Sequence, residues 1–545
     1  MKGKPMAKTL AVLLSACMIF AAAGCADQAE NGTPENTGDG LQTAAPIPET
    51  KITYSSDDTD AAWSNADATA EITLNGNTAD ISGSGASADG SVVTISAGGL
   101  YVLSGNVDDG QIVINAPGTD TVRLVLNGID ITSNTSAAIY APQADKLILT
   151  LADGTDNIIT DAASYTYADA AAEEPDAAIF SKGDLTINGT GSLTVNGNFK
   201  NGIGTKDDLV IVSGTYDITA ANDALRGRDS VTVLDGDLTL NAGGDGIQSN
   251  NDEDNSKGWI SLENGTFDIT AAYDGIQAET ALVIKKGDYA IVTGGGHTSA
   301  AASPDDSLKG MKGANLVIMD GNYSIDSTDD AIHSNGDMGI SGGVFTLASG
   351  DDGFHADADM TVSGGVITIT ACYEGLEAST MTISGGEITI TSTDDGINLA
   401  GGSNDGETGR FGRDQFAADS GKWLLISGGT ITVYAGRDAI DSNGDAKMTG
   451  GTVNLTAAML NEGDTIDVNG TWTKTGGDLT ESGGGMGGQG GRPGSQGGTG
   501  GQGGRPGNRD GMDGQGSRPE GQDDTGGQGG RPGGQGGTGS QGGRP

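Results

Sequence analysis

Asp330-Ala331-Ile332-His333-Ser334-Asn335-Gly336 is followed 22 residues later by Asp352-Gly353-Phe354-His355-Ala356-Asp357. The shared phrase is an acid, a small residue, an apolar residue and a polar one. It returns at Asp223, Asp245, Asp274, Asp306, Glu374, Asp395 and Asp438. The period is near 22, with insertions, which marks a repeat architecture. A second marker keeps phase with it: Ser341-Gly342-Gly343, Ser363-Gly364-Gly365, Ser384-Gly385-Gly386 and Ser427-Gly428-Gly429. Between the markers lie short alternating runs such as Ile367-Thr368-Ile369-Thr370 and Ile388-Thr389-Ile390-Thr391. Alternation of β-branched apolar residues with Thr, bounded by Gly, predicts strands. A β-unit of this length cannot bury its own apolar face, but stacked units bury it together. The expectation is an all-β fold, a right-handed parallel β-helix with rungs of about 22 residues.

The ends differ from the middle. Lys2, Lys4 and Lys8, the apolar stretch Leu10 to Ala23 and the sequence Ala22-Ala23-Gly24-Cys25 resemble a bacterial lipoprotein signal over residues 1–24, with a lipid on Cys25. The stretch is too short for a lasting membrane span. An extracytoplasmic protein is therefore expected, anchored to the cell membrane through that lipid or held at the cell surface. Residues 25–70 read as a linker and N-terminal cap, 71–480 as the repeat domain, and 481–545 as a Gly/Gln/Arg/Pro-rich tail that cannot form a core and is expected to be disordered. The chain has three Cys, so no disulfide framework is available. The formal charge is −46, which argues against nucleic acid as a partner. A monomer is expected.

Successive rungs of such a fold lie about 4.8 Å apart, so equivalent acids stack. Asp330, Asp352, Glu374 and Asp395 form the most regular run, preceded by Asp306, and Asp329, Asp351 and Asp394 (with Asp305) double it. Carboxylates about 5 Å apart repel by roughly 1 kcal/mol in water and about 3 at an effective dielectric of 20. Ca²⁺, which takes six to eight oxygens, suits such a column. Asp before Gly also serves turns, because its side chain can bond the local backbone. The position after the apolar residue forms an outward polar stripe that includes Lys309, His333 and His355. Insertions after the same turn, Gln248 to Trp259 and Gly401 to Gly421, should project from one side and carry function. Aromatics are scarce, so Trp259, Tyr273, Tyr373 and Trp423, with His333 and His355, are the candidate carbohydrate contacts.

The repeats, with Ser181-Lys182-Gly183-Asp184-Leu185-Thr186-Ile187 and the two segments quoted at the outset, resemble bacterial cell-surface carbohydrate-binding domain proteins over roughly residues 70–470. That resemblance implies a right-handed parallel β-helix like that of pectate lyases, bound calcium, and binding of cellulose or acidic pectic sugars. In that family several stripe positions are often Lys; here Gln248, Gln277, His333 and Asn398 stand there. The leading expectation is a non-catalytic, calcium-binding carbohydrate-binding protein for plant-type or acidic polysaccharide. One alternative is a calcium-dependent lyase with Lys309 as the base. Such a base needs a lowered pKa, and an acidic column acts the other way. A structural spacer or adhesin is the other.

Overall fold

The computed structural model describes residues 55–167, 173–303, 306–400, 421–458 and 463–483. The signal segment with Cys25, most of the linker, Asp305, the insertion 401–420 and the tail from 484 onward lie outside the described residues.

The described residues are all-β, with one four-residue helix among them, Ser56–Thr59, and a short 3-10 turn, Asn65–Asp67. Two antiparallel hairpins near the start, Ala70–Gly76 with Thr78–Gly83 and Ala86–Asp89 with Val92–Ile95, give way to parallel pairing. From there the strands fall into three files. The first includes Asn201–Thr205, Leu225–Gly227, Ile247–Ser249 and Ile332–Ser334, each paired in parallel with the equivalent strand about one period away. The second includes Asp208–Ile211, Ser230–Val233 and Trp259–Leu262. The third runs from Ser192–Gly197 through Thr215–Ala220 and Asp237–Ala242 to Thr452–Ala457 and Asp478–Gly483. One rung is one passage through the three files.

Alternation accounts for the burial. In Asp237–Ala242 the exposed Asp237, Thr239 and Asn241 interleave with the buried Leu238 and Leu240. The inward residues make one continuous core from Ile72 to Leu455. On the third file, Phe267, Tyr289, Tyr323 and Phe345 occupy one inward column and stack at centroid distances of 4.7, 4.9 and 4.4 Å, within 7° of parallel. Each tyrosine hydroxyl finds a backbone carbonyl at the rim: Tyr289 donates to Lys286 and Tyr323 to Asp320. We expect Phe345→Leu to destabilise the fold by about 1–3 kcal/mol, the contribution beyond burial of its two aromatic pairs, with Tyr323 and Phe354. A lower urea midpoint with unchanged circular dichroism would check it.

The Ser-Gly-Gly marker is a corner. Gly365 has φ 97°, the left-handed region that favours glycine, and a Cβ on Gly364 would lie 2.4 Å from the Ser341 carbonyl. Both glycines are therefore required, the first by close approach and the second by its dihedral.

The N-terminal segment straps the outside of the early rungs. Asp58 accepts hydrogen bonds from Lys146 Nζ at 2.8 Å and Thr186 Oγ1 at 2.6 Å, and its carbonyl accepts one from Asn188. Burial pushes the Asp58 carboxyl up, but the bonds from Lys146, Ser55 and Thr186 hold it at about 2. Trp63 and Ala68 pack on Val102, Val125 and Ala152, outward residues that would otherwise be exposed apolar surface.

Candidate functional site

The acid column runs along the corner that leads into the first file. Its first role is a hydrogen-bond ladder. The backbone N–H of Asp245 donates to Asp223 Oδ1 at 3.1 Å, that of Asp274 to Asp245 Oδ1 at 2.9 Å, that of Asp352 to Asp330 Oδ1 at 3.0 Å, and that of Glu374 to Asp352 Oδ1 at 3.2 Å. Asp438 and Asp464 continue it from Asp395 and Asp438. The next residue in each rung turns its N–H the other way, as Ala224 does toward the Asp245 carbonyl and Gly246 toward the Asp274 carbonyl. The corner reverses the amide direction, so the acid's own N–H lacks a carbonyl. The preceding rung's carboxylate supplies the acceptor that a buried amide requires.

The register corrects one sequence assignment. Met311 pairs with Ile276 and with Ile332, so the residue in the column is Lys309, not Asp306. The phrase Asp306-Ser307-Leu308-Lys309 imitates the repeat three residues early, after the 294–303 insertion. Asp306 instead caps the loop by accepting the N–H of Ser303 at 2.9 Å. Lys309 therefore does not belong to the polar stripe, whose member in this rung is Lys312, paired with Gln277 and His333. The Lys309 N–H keeps the ladder, donating to Asp274 Oδ1 at 2.7 Å. Its ammonium, largely buried, lies 2.5 Å from Asp329 and 3.3 Å from Asp330. Burial would lower its pKa, but Asp330 and Asp329 raise it well above the usual lysine range. Lys309 is thus a locked counterion.

The two histidines of the stripe do not face solvent. His333 and His355 are buried, with rings stacked at 4.8 Å. Each serves the second oxygen of its own ladder acid: His333 Nδ1 lies 2.7 Å from Asp330 Oδ2, and His355 Nδ1 lies 2.9 Å from Asp352 Oδ2. His355 further meets Glu377 and Asp357 at 3.1 Å. Burial pushes the His355 ring down, but Asp352 and Glu377 lift its pKa to about 12. Gln248 plays the same part for Asp245. Both histidines are enclosed in these networks, so their expected role as sugar contacts is replaced by one in the ladder.

One rung breaks this pattern. Asn398 reaches back to Glu374, donating from Nδ2 to Oε2 at 2.6 Å, instead of serving its own Asp395. Among the described residues no side-chain donor meets the second oxygen of Asp395, and Asn398 Oδ1 is buried without a partner. Oxygens of Glu374, Asp394 and Asp395 lie within 4.8 Å of one another. Burial first, then Asp441, Asp394 and Asp438, raise the Asp395 carboxyl to about 7. Glu374 is raised too, by burial and by Glu377. These are hard oxygen donors, three carboxyls met among the described residues by one cation, Arg437, which lies 3.5 Å from Asp394, with an orphaned amide oxygen beside them, a set that fits a hard cation. Asp329, Asp330 and Asp351 also converge, but there the Lys309 ammonium already lies against Asp329 and Asp330.

The four aromatic candidates do not form one surface. Tyr373 is half exposed, and its hydroxyl bonds Asp394, placing it against the Glu374–Asp394–Asp395 group. Tyr273 is half exposed on the same corner, four rungs or roughly 19 Å away. Trp259 and Trp423 are half-buried in one column of the second file, six rungs or roughly 29 Å apart. Sequence reasoning missed Asn398 as a donor to Glu374 and Lys309 as a member of the column. The Glu at 374 was the available signal, since its extra methylene displaces its carboxylate toward the next rung.

The family model that matches is described as carbohydrate-binding domain-containing protein, over residues 89–353 and 352–488. A carbohydrate-binding domain-containing protein of Acetivibrio thermocellus is 39% identical over 128 residues, which is 24% of this chain and 45% of that relative. The chain thus spans less than half of that relative's length. A solved structure described as a polysaccharide lyase-like protein from C. thermocellum, a gadolinium derivative, is 38% identical, with a TM-score of 0.41, over 42% of this chain and 92% of that one.

Proposed function

The chain belongs to the carbohydrate-binding domain-containing proteins, and on that premise we propose that it is a non-catalytic, calcium-dependent binder of acidic polysaccharide at the bacterial cell surface. We read the three files as the faces of a right-handed parallel β-helix, and residues 1–25 as the signal and lipid anchor that hold it outside the membrane. The carrying observation is the rung where Asn398 turns from Asp395 to Glu374, which leaves Asn398 Oδ1 buried without a partner, beside the half-exposed Tyr373. A Ca²⁺ there would be held by Glu374, Asp394 and Asp395, and would supply charge neutralisation and open positions for a sugar carboxylate. Tyr373 offers the sugar ring an apolar face.

The lyase reading is weaker. Its base candidate, Lys309, is buried and paired with two carboxylates, which raise its pKa, the opposite of what a general base needs.

The test uses the full chain with Ca²⁺ or chelator. Calcium at 100 times its dissociation constant should add about 2.7 kcal/mol of stability, seen as a higher melting temperature. Asp394→Asn with Asp395→Asn should abolish that gain and the retention on polygalacturonate. A melting temperature indifferent to both calcium and chelator would sink the proposal, and unsaturated product from polygalacturonate would replace it with the lyase.

A further inference from the structure

The two histidines of the first file commit only one edge of their rings to the ladder. His333 and His355 are paired in register on adjacent strands, and their rings stack at 4.8 Å with 29° between the planes. Each Nδ1 faces its own buried carboxylate, Asp330 Oδ2 at 2.7 Å and Asp352 Oδ2 at 2.9 Å. Both Nε2 atoms therefore point away from those acids, to one side. There His355 Nε2 meets Asp357 Oδ1 at 3.1 Å. Among the described residues no protein group bonds His333 Nε2. The residue two positions beyond His333, where Asp357 stands beyond His355, is Asn335, and it is exposed. Lys312, the stripe neighbour on the other side of His333, gives its ammonium to Ser307 Oγ at 3.2 Å. Three carboxylates, Asp352, Glu377 and Asp357, thus surround one imidazole, and the nitrogen of a second imidazole beside them is left over.

We propose that His333 Nε2, His355 Nε2 and Asp357 hold a divalent transition metal of the zinc class, in a site separate from the Glu374–Asp394–Asp395 group. The inference rests on neither calcium nor carbohydrate. Ligand type selects the ion. Imidazole nitrogen suits Zn²⁺, Ni²⁺ and Cu²⁺, whereas Ca²⁺ takes oxygen. The surroundings are those a metal-bound histidine needs: the other ring nitrogen bonded to a carboxylate, which fixes the tautomer and aims Nε2 at the ion. Asp330 and Asp352 do this for both rings. The spacing agrees as well. Bonds of about 2.0–2.1 Å to a tetrahedral zinc set two of its ligand atoms roughly 3.3 Å apart, close to the 3.1 Å between His355 Nε2 and Asp357 Oδ1. The ion takes the place of the proton between those two atoms, and that proton leaves to solvent. Its two positive charges also offset the carboxylates that one imidazolium leaves in surplus. Three protein ligands keep a fourth position for water.

The experiment titrates the full chain, carrying no polyhistidine tag, with Zn²⁺ in a calorimeter. Excess Ca²⁺ is present throughout, so that sites made of oxygen alone are filled. One equivalent of Zn²⁺ should bind. His333→Gln and His355→Gln should each weaken it at least tenfold. Glutamine keeps a donor for the ladder acid, as Gln248 does for Asp245, so both variants should fold. Asp357→Asn, which leaves both histidines in place, should weaken Zn²⁺ in the same direction. Asp394→Asn with Asp395→Asn should leave it unchanged. Cu²⁺ bound to the wild type in place of Zn²⁺ should show nitrogen couplings from two imidazoles in its electron paramagnetic resonance spectrum, a readout that needs no variant. The proposal is overturned if Zn²⁺ does not bind in excess Ca²⁺, if the folded glutamine variants bind it like the wild type, or if the Cu²⁺ spectrum lacks nitrogen couplings.

Discussion

Asp330→Ala should destabilise the protein by about 3–5 kcal/mol, the cost of leaving a buried charge without its partner. Asp330 is buried and holds three groups at once. It accepts the Asp352 N–H through Oδ1, and its Oδ2 faces His333 at 2.7 Å and Lys309 at 3.3 Å. Burial would raise its carboxyl, but Lys309 and His333 hold it well below the usual carboxylate range. Truncation strands the Asp352 amide and removes half of the charge that balances Lys309. Asp330→Asn should cost less, because Oδ1 still accepts the amide and only the ion pairing is lost. Lys309→Met in the Asp330→Asn background should recover part of the stability, since the buried ammonium, then balanced by Asp329 alone, is gone. Urea midpoints of the three variants decide the matter: equal losses for Ala and Asn would mean that the ladder bond contributes nothing.

The second large effect is a dependence on pH that runs opposite to ordinary acid denaturation. Burial, then Asp274 and Asp223, raise the Asp245 carboxyl to about 7, and burial also raises Asp223 and Asp274. A raised folded-state pKa means that the fold prefers the protonated acid. The stability this contributes is fully present below the unfolded value near 4 and is lost as pH rises through about 7. For Asp245 the change amounts to roughly 2–4 kcal/mol. His355 acts in the same direction at higher pH, since its raised pKa contributes stability below about 6.5 that fades as pH climbs toward 12. Asp58, held at about 2, adds stability above its unfolded value that is lost only as pH falls through 2. Without divalent cations the melting temperature should therefore rise between pH 7 and pH 4.5. Asp245→Asn tests the assignment, because the amide keeps the acceptor for the Asp274 N–H and cannot ionise. The protein already uses this device two rungs earlier, where Asn201 Oδ1 accepts the Asp223 N–H at 3.1 Å. The variant should melt higher than wild type at pH 7 and nearly equal to it at pH 4.5. A lower melting temperature at both values would show that Asp245 is charged and compensated in the fold.

The architecture was legible because it rests on local chemistry repeated many times. Alternation in segments such as Ile367–Thr370 marks strands wherever it falls, and Ser-Gly-Gly marks corners because only glycine fits the close approach and the positive φ there. The candidate site was legible only in outline. Acids at a period of 22 residues announced a column, and the column exists. Its purpose could not be read, because a carboxylate that accepts a backbone N–H and one that awaits a cation look the same in sequence.

By itself, then, the sequence determined the period, the strands, the corners and the column, all properties of a short unit and its repetition. The tertiary structure decided which residue stands in each rung. The insertion before Asp306 removes the spacing cue, and only the pairing of Ile276 with Met311 puts Lys309 in the column. It decided that His333 and His355 point to ladder acids rather than to solvent, because their partners are set by side-chain reach across 2.7 and 2.9 Å. It also decided where the second oxygen of an acid goes unserved, since Asn398 can choose Glu374 over Asp395 only when adjacent rungs are stacked. Strands follow from neighbours in the chain, whereas charge compensation follows from neighbours across rungs, and those are fixed by register.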